Sequence, residues 1–210
     1  MTEIILVRHG ETDWNVEEVF RGQIDLELNE TGRRQAELLA EYLGELKIEA
    51  VYSSPLKRAL NTAKAIARRQ RLEVEVSPGL IDYDFGQWQG LPLREVRDKY
   101  QKLYRQWAKS PQRVKIPGGE SLDEVRERAL KVVNELMAKH GGRVVLVSHR
   151  VVNKVLICAL LGLDNSHFWN IRQDVCGTTF FSYEDGRLVL TRHNDSSYLR
   201  PLKKAELGDF

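Results

Sequence analysis

Two histidines, each beside an arginine, end two apolar runs of this 210-residue chain. Ile4-Ile5-Leu6-Val7 leads into Arg8-His9-Gly10, and Val144-Val145-Leu146-Val147 leads into Ser148-His149-Arg150. Runs of four aliphatic residues read as strands buried on both faces. An open parallel sheet places ligands beyond the carboxyl ends of such strands. One histidine at a strand end is often only a hydrogen-bonded structural imidazole. Two at equivalent ends, among five in the chain, point to chemistry instead. A third strand end is Ser53-Ser54-Pro55-Leu56-Lys57-Arg58. Pro55 suits the first turn of a helix, whose N-terminus attracts anions, and Arg58 in that turn adds a planar fork matched to phosphate oxygens. Arg8, Arg58, His9 and His149 would repel one another without an anion between them, and a phosphate group is the natural occupant. Neither histidine belongs to a spacing such as H-x-x-x-H, which points away from a metal site.

Acid comes from a fourth segment, Ile81-Asp82-Tyr83-Asp84-Phe85-Gly86, a loop rich in glycine, aspartate and aromatics. Phosphoryl transfer needs a nucleophile, positive charge around the equatorial oxygens and a proton for the leaving alkoxide. His9, the arginines with His149, and Asp82 or Asp84 supply these three roles.

The elements that must position these groups alternate. Strand 3–7 is followed by a long loop at 10–31 and a helix over 32–46 with Ala36, Leu39, Ala40, Leu43 and Leu46 on one face. Strand 50–53, helix 56–69 and strand 72–76 come next, then a helix over 91–109. Ser121 and Glu124 form a capping-box signature opening another helix, stopped by Gly141-Gly142 before strand 144–147. Helix 150–162 precedes a hairpin of 178–183 and 187–193, turned at Asp185-Gly186. This order predicts an α/β three-layer sandwich: a mainly parallel central sheet, helices on both faces and an antiparallel edge strand. The length suits a single domain over 1–210, with a lid-like insertion at about 91–117.

The charge balance, 32 basic against 30 acidic residues, gives no argument for a nucleic-acid or membrane partner. No apolar run approaches the ~18 residues of a transmembrane helix. A strand starting by residue 4 leaves no room for a signal peptide. Cys158 and Cys176, outside any C-x-x-C pair, read as buried free thiols, so a cytoplasmic location is expected.

The chain resembles the histidine phosphatase superfamily, in the branch holding cofactor-dependent phosphoglycerate mutases and their phosphatase relatives. The matching segments are Leu6-Val7-Arg8-His9-Gly10-Glu11-Thr12 with Trp14-Asn15, then Asp25, Leu28, Gly32 and Gln35-Ala36. Ser53-Ser54-Pro55-Leu56 with Arg58-Ala59 and Thr62-Ala63, the loop at 80–90, Gly118-Gly119-Glu120-Ser121 and Val147-Ser148-His149 continue the pattern. The resemblance implies His9 as a nucleophile phosphorylated on Nε2. It implies Arg8, Arg58 and His149 as phosphoryl-binding groups, with Asn15 and the backbone near Arg21-Gly22 at the edge. Asp82 aligns with the proton donor, usually glutamate in this branch, so the carboxyl must be brought closer by the backbone. Asp84 is left to loop hydrogen bonds. Arg150 stands where many relatives carry glycine. It either adds a cation beside His149 or points outward from the first helical turn.

The resemblance implies a metal-independent phosphatase without cofactor, acting on a small phosphorylated metabolite; a homodimer stays open. A phosphoglycerate mutase is the alternative, but mutases carry an inserted Arg-His-Tyr-Gly-like stretch that 90–117 lacks. A non-catalytic phosphate-binding regulator is the second alternative, supported only by aspartate at 82. The segment Cys158-Ala159-Leu160-Leu161-Gly162 and Phe168-Trp169 also resemble small phosphoserine and α-ribazole phosphatases. From 91 to 117 eight basic residues (Arg94, Arg97, Lys99, Lys102, Arg105, Lys109, Arg113 and Lys115) face only Glu95 and Asp98. They form either a solvated helix face or a cationic lid that reads a second anionic group.

Overall fold

The computed structural model describes residues 2–202. In chain order its elements are β1 (Glu3–Arg8), α1 (Asp13–Val16), α2 (Glu30–Gly44), β2 (Ala50–Ser53), α3 (Lys57–Gln70) and β3 (Val74–Val76). Then come α4 (Leu93–Lys99), α5 (Gln101–Lys109), α6 (Leu122–Lys139), β4 (Arg143–Ser148), α7 (Arg150–Leu160), β5 (Thr178–Glu184) and β6 (Arg187–Asp195). The six strands form one sheet in the order β3-β2-β4-β1-β5-β6. The first four run parallel, and β5 and β6 add antiparallel at one edge. This is the mainly parallel sheet with an antiparallel edge expected from the order of elements.

Strand alternation divides the core. Ile5 and Val7 of β1, Val51 of β2 and Val145 of β4 pack with Leu39 and Leu43 of α2 and Ala63 and Ile66 of α3. Ile4, Leu6 and Leu146 meet Val125, Ala129 and Val133 of α6 and Val152 and Val155 of α7. Helices therefore cover both faces. The second face also holds a stack of aromatic rings, Tyr83, Phe85, Trp88, Trp107 and Phe168.

The local signals act as expected at α6, where Ser121 Oγ accepts from Glu124 N at 3.2 Å and Glu124 Oε2 accepts from Ser121 N at 2.6 Å. In the β5–β6 turn, Asp185 and Gly186 both take positive φ, 47° and 83°, as a twisted two-residue hairpin requires. Several boundaries differ. α2 begins at Glu30 rather than 32, because the Asn29 side chain accepts from Gly32 N. α1 occupies part of the expected loop 10–31. β3 is confined to Val74–Val76, since Arg71 closes α3 in the left-handed conformation and Leu72 N still bonds Ala67 O. The helix expected over 91–109 is two helices divided at Tyr100, where neither proline nor glycine marks the break.

Two backbone approaches hold the loops of the site. A Cβ on Gly10 would lie 2.6 Å from the Gly32 carbonyl oxygen, and one on Gly32 would lie 2.0 Å from that of Glu11. The start of α2 thus rests directly on the chain following His9, and only glycine fits at either point. The loop after β3 is clasped to 117–120: Gln87 N donates to Pro117 O at 3.0 Å, Glu120 N to Asp84 O at 3.0 Å, and Asp84 N to Glu120 Oε2 at 2.9 Å.

In the basic segment, Lys99 pairs with Glu95 and Lys115 with Glu124, while Arg97 lies over the Tyr104 ring. Lys102, Arg105, Lys109 and Arg113 line an outer cavity of about 430 Å³. Trp107 points from the same helix into the core, so Lys102, Arg105 and Lys109 occupy the opposite, outer face at 100° per residue. Among the described residues no helix is long and apolar enough to cross a membrane.

Candidate active site

Sheet register explains why the histidines meet. Arg8 pairs with Ser148 across β1 and β4, and Ser53 of β2 pairs with Val147. The next residues, His9, His149 and Ser54, therefore leave three neighbouring strands at one level. His9 N donates to Ser148 O at 3.0 Å, and the two imidazole centroids lie 5.2 Å apart. His149 Nε2 is 2.7 Å from Ser54 Oγ, and its Nδ1 faces Asp82 Oδ2 at 3.5 Å.

His9 Nδ1 sits 2.6 Å from the Gly10 carbonyl oxygen. A carbonyl only accepts, so Nδ1 carries the hydrogen and Nε2 keeps its lone pair. Burial first, then the charge of Arg58, the neighbouring His149, Arg8 and Arg21 hold the His9 pKa well below 6.5. The ring is a neutral base with a directed lone pair. His149 is likewise held well below 6.5, by burial and then by Arg58, Arg128, Arg21 and Arg8.

Three buried guanidinium groups surround the imidazoles. Arg8 Nη1 donates to Gln173 O at 2.7 Å. Arg58, at the second position of α3, donates to Ile24 O at 2.8 Å and Gly22 O at 2.6 Å, and its Nη2 reaches Asp82 Oδ2 at 3.0 Å. Arg21 donates from Nη1 to Trp14 O at 2.9 Å. Burial and the like charges of Arg8 and Arg58 push the Arg21 guanidinium well below its usual range. Arg21 entered the sequence reading only through its backbone; its side chain belongs to the cluster. Nothing local marks it, because the loop that folds it inward is fixed by Arg58 from another element.

Asn15 caps the start of α1, its Oδ1 accepting from Thr12 N at 3.0 Å and Thr12 Oγ1 at 2.9 Å. Its Nδ2 is buried without a hydrogen-bond partner, as are Nε of Arg21 and Arg58. Gly22 contributes its carbonyl to Arg58 and adopts a φ of 51°. Asp82 is 6 % exposed and fully oriented: Oδ1 accepts from Tyr83 N at 2.8 Å while Oδ2 meets Arg58. Its main-chain oxygen accepts from Gln23 Nε2 and Arg128 Nη2, each at 3.1 Å. Asp84 lies outside this group, its Oδ1 accepting from Gly86 N at 2.8 Å. Arg128, which the sequence does not single out, pairs at 2.8 Å with Glu120 of the Gly118-Gly119-Glu120-Ser121 segment and buttresses the acid loop. The other histidines serve the scaffold: His140 contacts Glu49 and Tyr52, His167 contacts Asp164, and His193 contacts Thr179.

The cluster sets three guanidinium groups and two neutral imidazoles against one carboxylate. Such a balance calls for a dianion, and a phosphoryl group offers three oxygens to these donors. Among the described residues no three His, Cys, Asp or Glu side chains gather as metal ligands.

Comparison with known proteins identifies the family. Residues 4–196 match the model of the histidine phosphatase superfamily (branch 1). Phosphoserine phosphatase 1 of Hydrogenobacter thermophilus is 38% identical over 200 residues, 95% of either chain. A mycobacterial glucosyl-3-phosphoglycerate phosphatase superposes with a TM-score of 0.87 at 32% identity, over 92% of this chain and 99% of that one. A histidine-to-alanine variant of phosphoserine phosphatase from Entamoeba histolytica, in complex with phosphoserine, superposes at 0.85 with 29% identity, over 95% of this chain and all (100%) of that one. The chain belongs to the histidine phosphatase superfamily, branch 1.

Proposed function

We propose that this protein is a metal-independent phosphatase of small phosphorylated metabolites, working through a phosphohistidine at His9. The observation that carries the reading is the His9 Nδ1 contact with the Gly10 carbonyl, which turns an unprotonated Nε2 toward the arginine cluster. In the first step Nε2 attacks phosphorus, the N–P bond forms and the P–O bond to the alcohol breaks. Arg8, Arg21, Arg58, His149 and the Asn15 amide gather the phosphoryl oxygens, whose charge spreads during transfer. Asp82 gives the departing alkoxide its proton. In the second step the Asp82 carboxylate accepts a proton from water, whose oxygen attacks phosphorus and restores His9. Inorganic phosphate leaves.

The relatives' names carry phosphoserine and a phosphoglycerate derivative, which supports a metabolite of that size. The α4–α5 segment covers the aromatic stack beside Asp82 and acts as the lid of a single domain. Both cysteines are free and buried, which supports a reducing cytoplasm. Turnover of p-nitrophenyl phosphate in excess chelator tests the reading. Wild type should be active and His9→Ala inactive; strict dependence on a divalent metal, or an active His9→Ala, overturns it.

A further inference from the structure

The phosphoryl cluster accounts for one end of a substrate. A second cationic position lies beside it. α7 carries Arg150 and Lys154 on successive turns, 8 % and 0 % exposed. Both pack on one aromatic wall: the Arg150 guanidinium carbon is 6.0 Å from the Trp169 ring centroid, and Lys154 Nζ is 5.1 Å from it. The wall is pinned at both ends. Trp169 Nε1 donates to Trp107 O at 3.0 Å, and four residues on Gln173 O accepts from Arg8. One short segment thus runs from the indole to the phosphoryl-binding arginines. Arg150 follows His149 directly, and its charge is felt by Arg21. Trp169 remains 39 % exposed, so one side of this wall is open to solvent.

Stacking on an indole uses the face of a guanidinium and orients its N–H fork, the edge that matches a carboxylate in two parallel hydrogen bonds. Resting on the phosphatase reading, we propose that Arg150 determines substrate specificity by binding a carboxylate on the carbon skeleton of the phosphorylated metabolite, with Trp169 as the adjoining wall. The outer cations Lys102 and Arg105 lie on the α5 face opposite buried Trp107 and do not serve this purpose.

Matched substrates test the assignment. Phosphoserine is compared with ethanolamine phosphate, and 3-phosphoglycerate with 2-hydroxyethyl phosphate; each pair differs by one carboxylate. A charge-assisted pair of this kind predicts a wild-type preference of roughly ten- to 150-fold in kcat/KM for the carboxylate member of at least one pair. Arg150→Gln should bring that ratio close to one, and Arg150→Lys should restore part of it. Because the ratio is read within one variant, damage to the fold or to the phosphoryl site lowers both substrates together and leaves it intact. The double variant Lys102→Gln/Arg105→Gln should keep the wild-type ratio. An unchanged ratio in Arg150→Gln, a wild-type ratio near one, or a collapse in the α5 variant overturns the role of Arg150 and leaves the phosphatase standing. Failure to hydrolyse any phosphate monoester overturns both.

Discussion

The two buried histidines tie the site to stability in a way that titration can measure. In the folded chain His9 and His149 are held well below pKa 6.5 by burial and by the surrounding arginines. Unfolded, both titrate near 6.5. Above that pH both states hold the rings neutral and no penalty exists. Below it the unfolded chain binds protons that the folded chain refuses, so stability falls as pH falls. Each histidine contributes a slope of up to about 1.4 kcal/mol per pH unit, and the pair about 2.7 kcal/mol, until the folded pKa values are reached. His193, also lowered by burial, adds in the same direction. The lowered carboxylates, among them Glu49, Glu75 and Asp195, act only below their own unfolded values of 4.5 and 3.8, so the window between about pH 5 and 6 reports histidines. Urea unfolding followed by circular dichroism across that window should show this slope in wild type. His9→Asn and His149→Asn should each remove up to about 1.4 kcal/mol per unit of it. Inorganic phosphate should flatten it, because a bound dianion lets the folded state accept protons. A wild-type slope no steeper than that of the combined His9→Asn/His149→Asn variant would refute the claim that the site holds both rings neutral.

Three further outcomes follow from the geometry. Asp82→Asn should slow alkyl phosphates by roughly 10²–10⁴ and p-nitrophenyl phosphate far less, since a good leaving group needs little acid; equal losses on both, or a larger loss from Asp84→Asn, would reassign the proton donor. Arg58→Ala should lower kcat on the order of 10²–10³, because a fixed cation gains most as charge spreads over the phosphoryl oxygens; steady-state kinetics showing only a raised KM would reduce Arg58 to a docking group. Gly32→Ala should cost about 1–3 kcal/mol and lower kcat as well, since a Cβ there would sit 2.0 Å from the Glu11 carbonyl oxygen and displace the chain after His9; a thermal melt and rate equal to wild type would contradict that contact.

Much of this arrangement is legible in the sequence because the chemistry is written next to local punctuation. His9 and His149 end four-residue aliphatic runs, and Arg58 follows Ser54-Pro55 at a helix start. Strand register does the rest, placing neighbours of known order side by side. What escapes is decided by contacts distant along the chain. The Arg21 side chain is turned inward by a loop that Arg58 holds through Gly22 and Ile24. The Glu120–Arg128 pair supports the acid loop from another element. The basic run at 91–117 is conspicuous in composition, yet composition does not say which way a side chain faces. Lys99, Lys115 and Arg97 are engaged locally, and Lys102, Arg105, Lys109 and Arg113 line an outer cavity. Arg150, open between two readings in the sequence, proves buried against Trp169 at the position following His149.

The central claim is covalent. Wild type mixed with excess p-nitrophenyl phosphate and quenched within milliseconds in alkaline denaturant, where phosphohistidine survives, should show a fraction of chains heavier by one phosphoryl group. Peptide mapping should place that group on His9, and it should vanish in His9→Ala while appearing in larger amount in Asp82→Asn, whose water attack is slowed. Active enzyme that never carries the group, or carries it on any residue other than His9, would contradict the account.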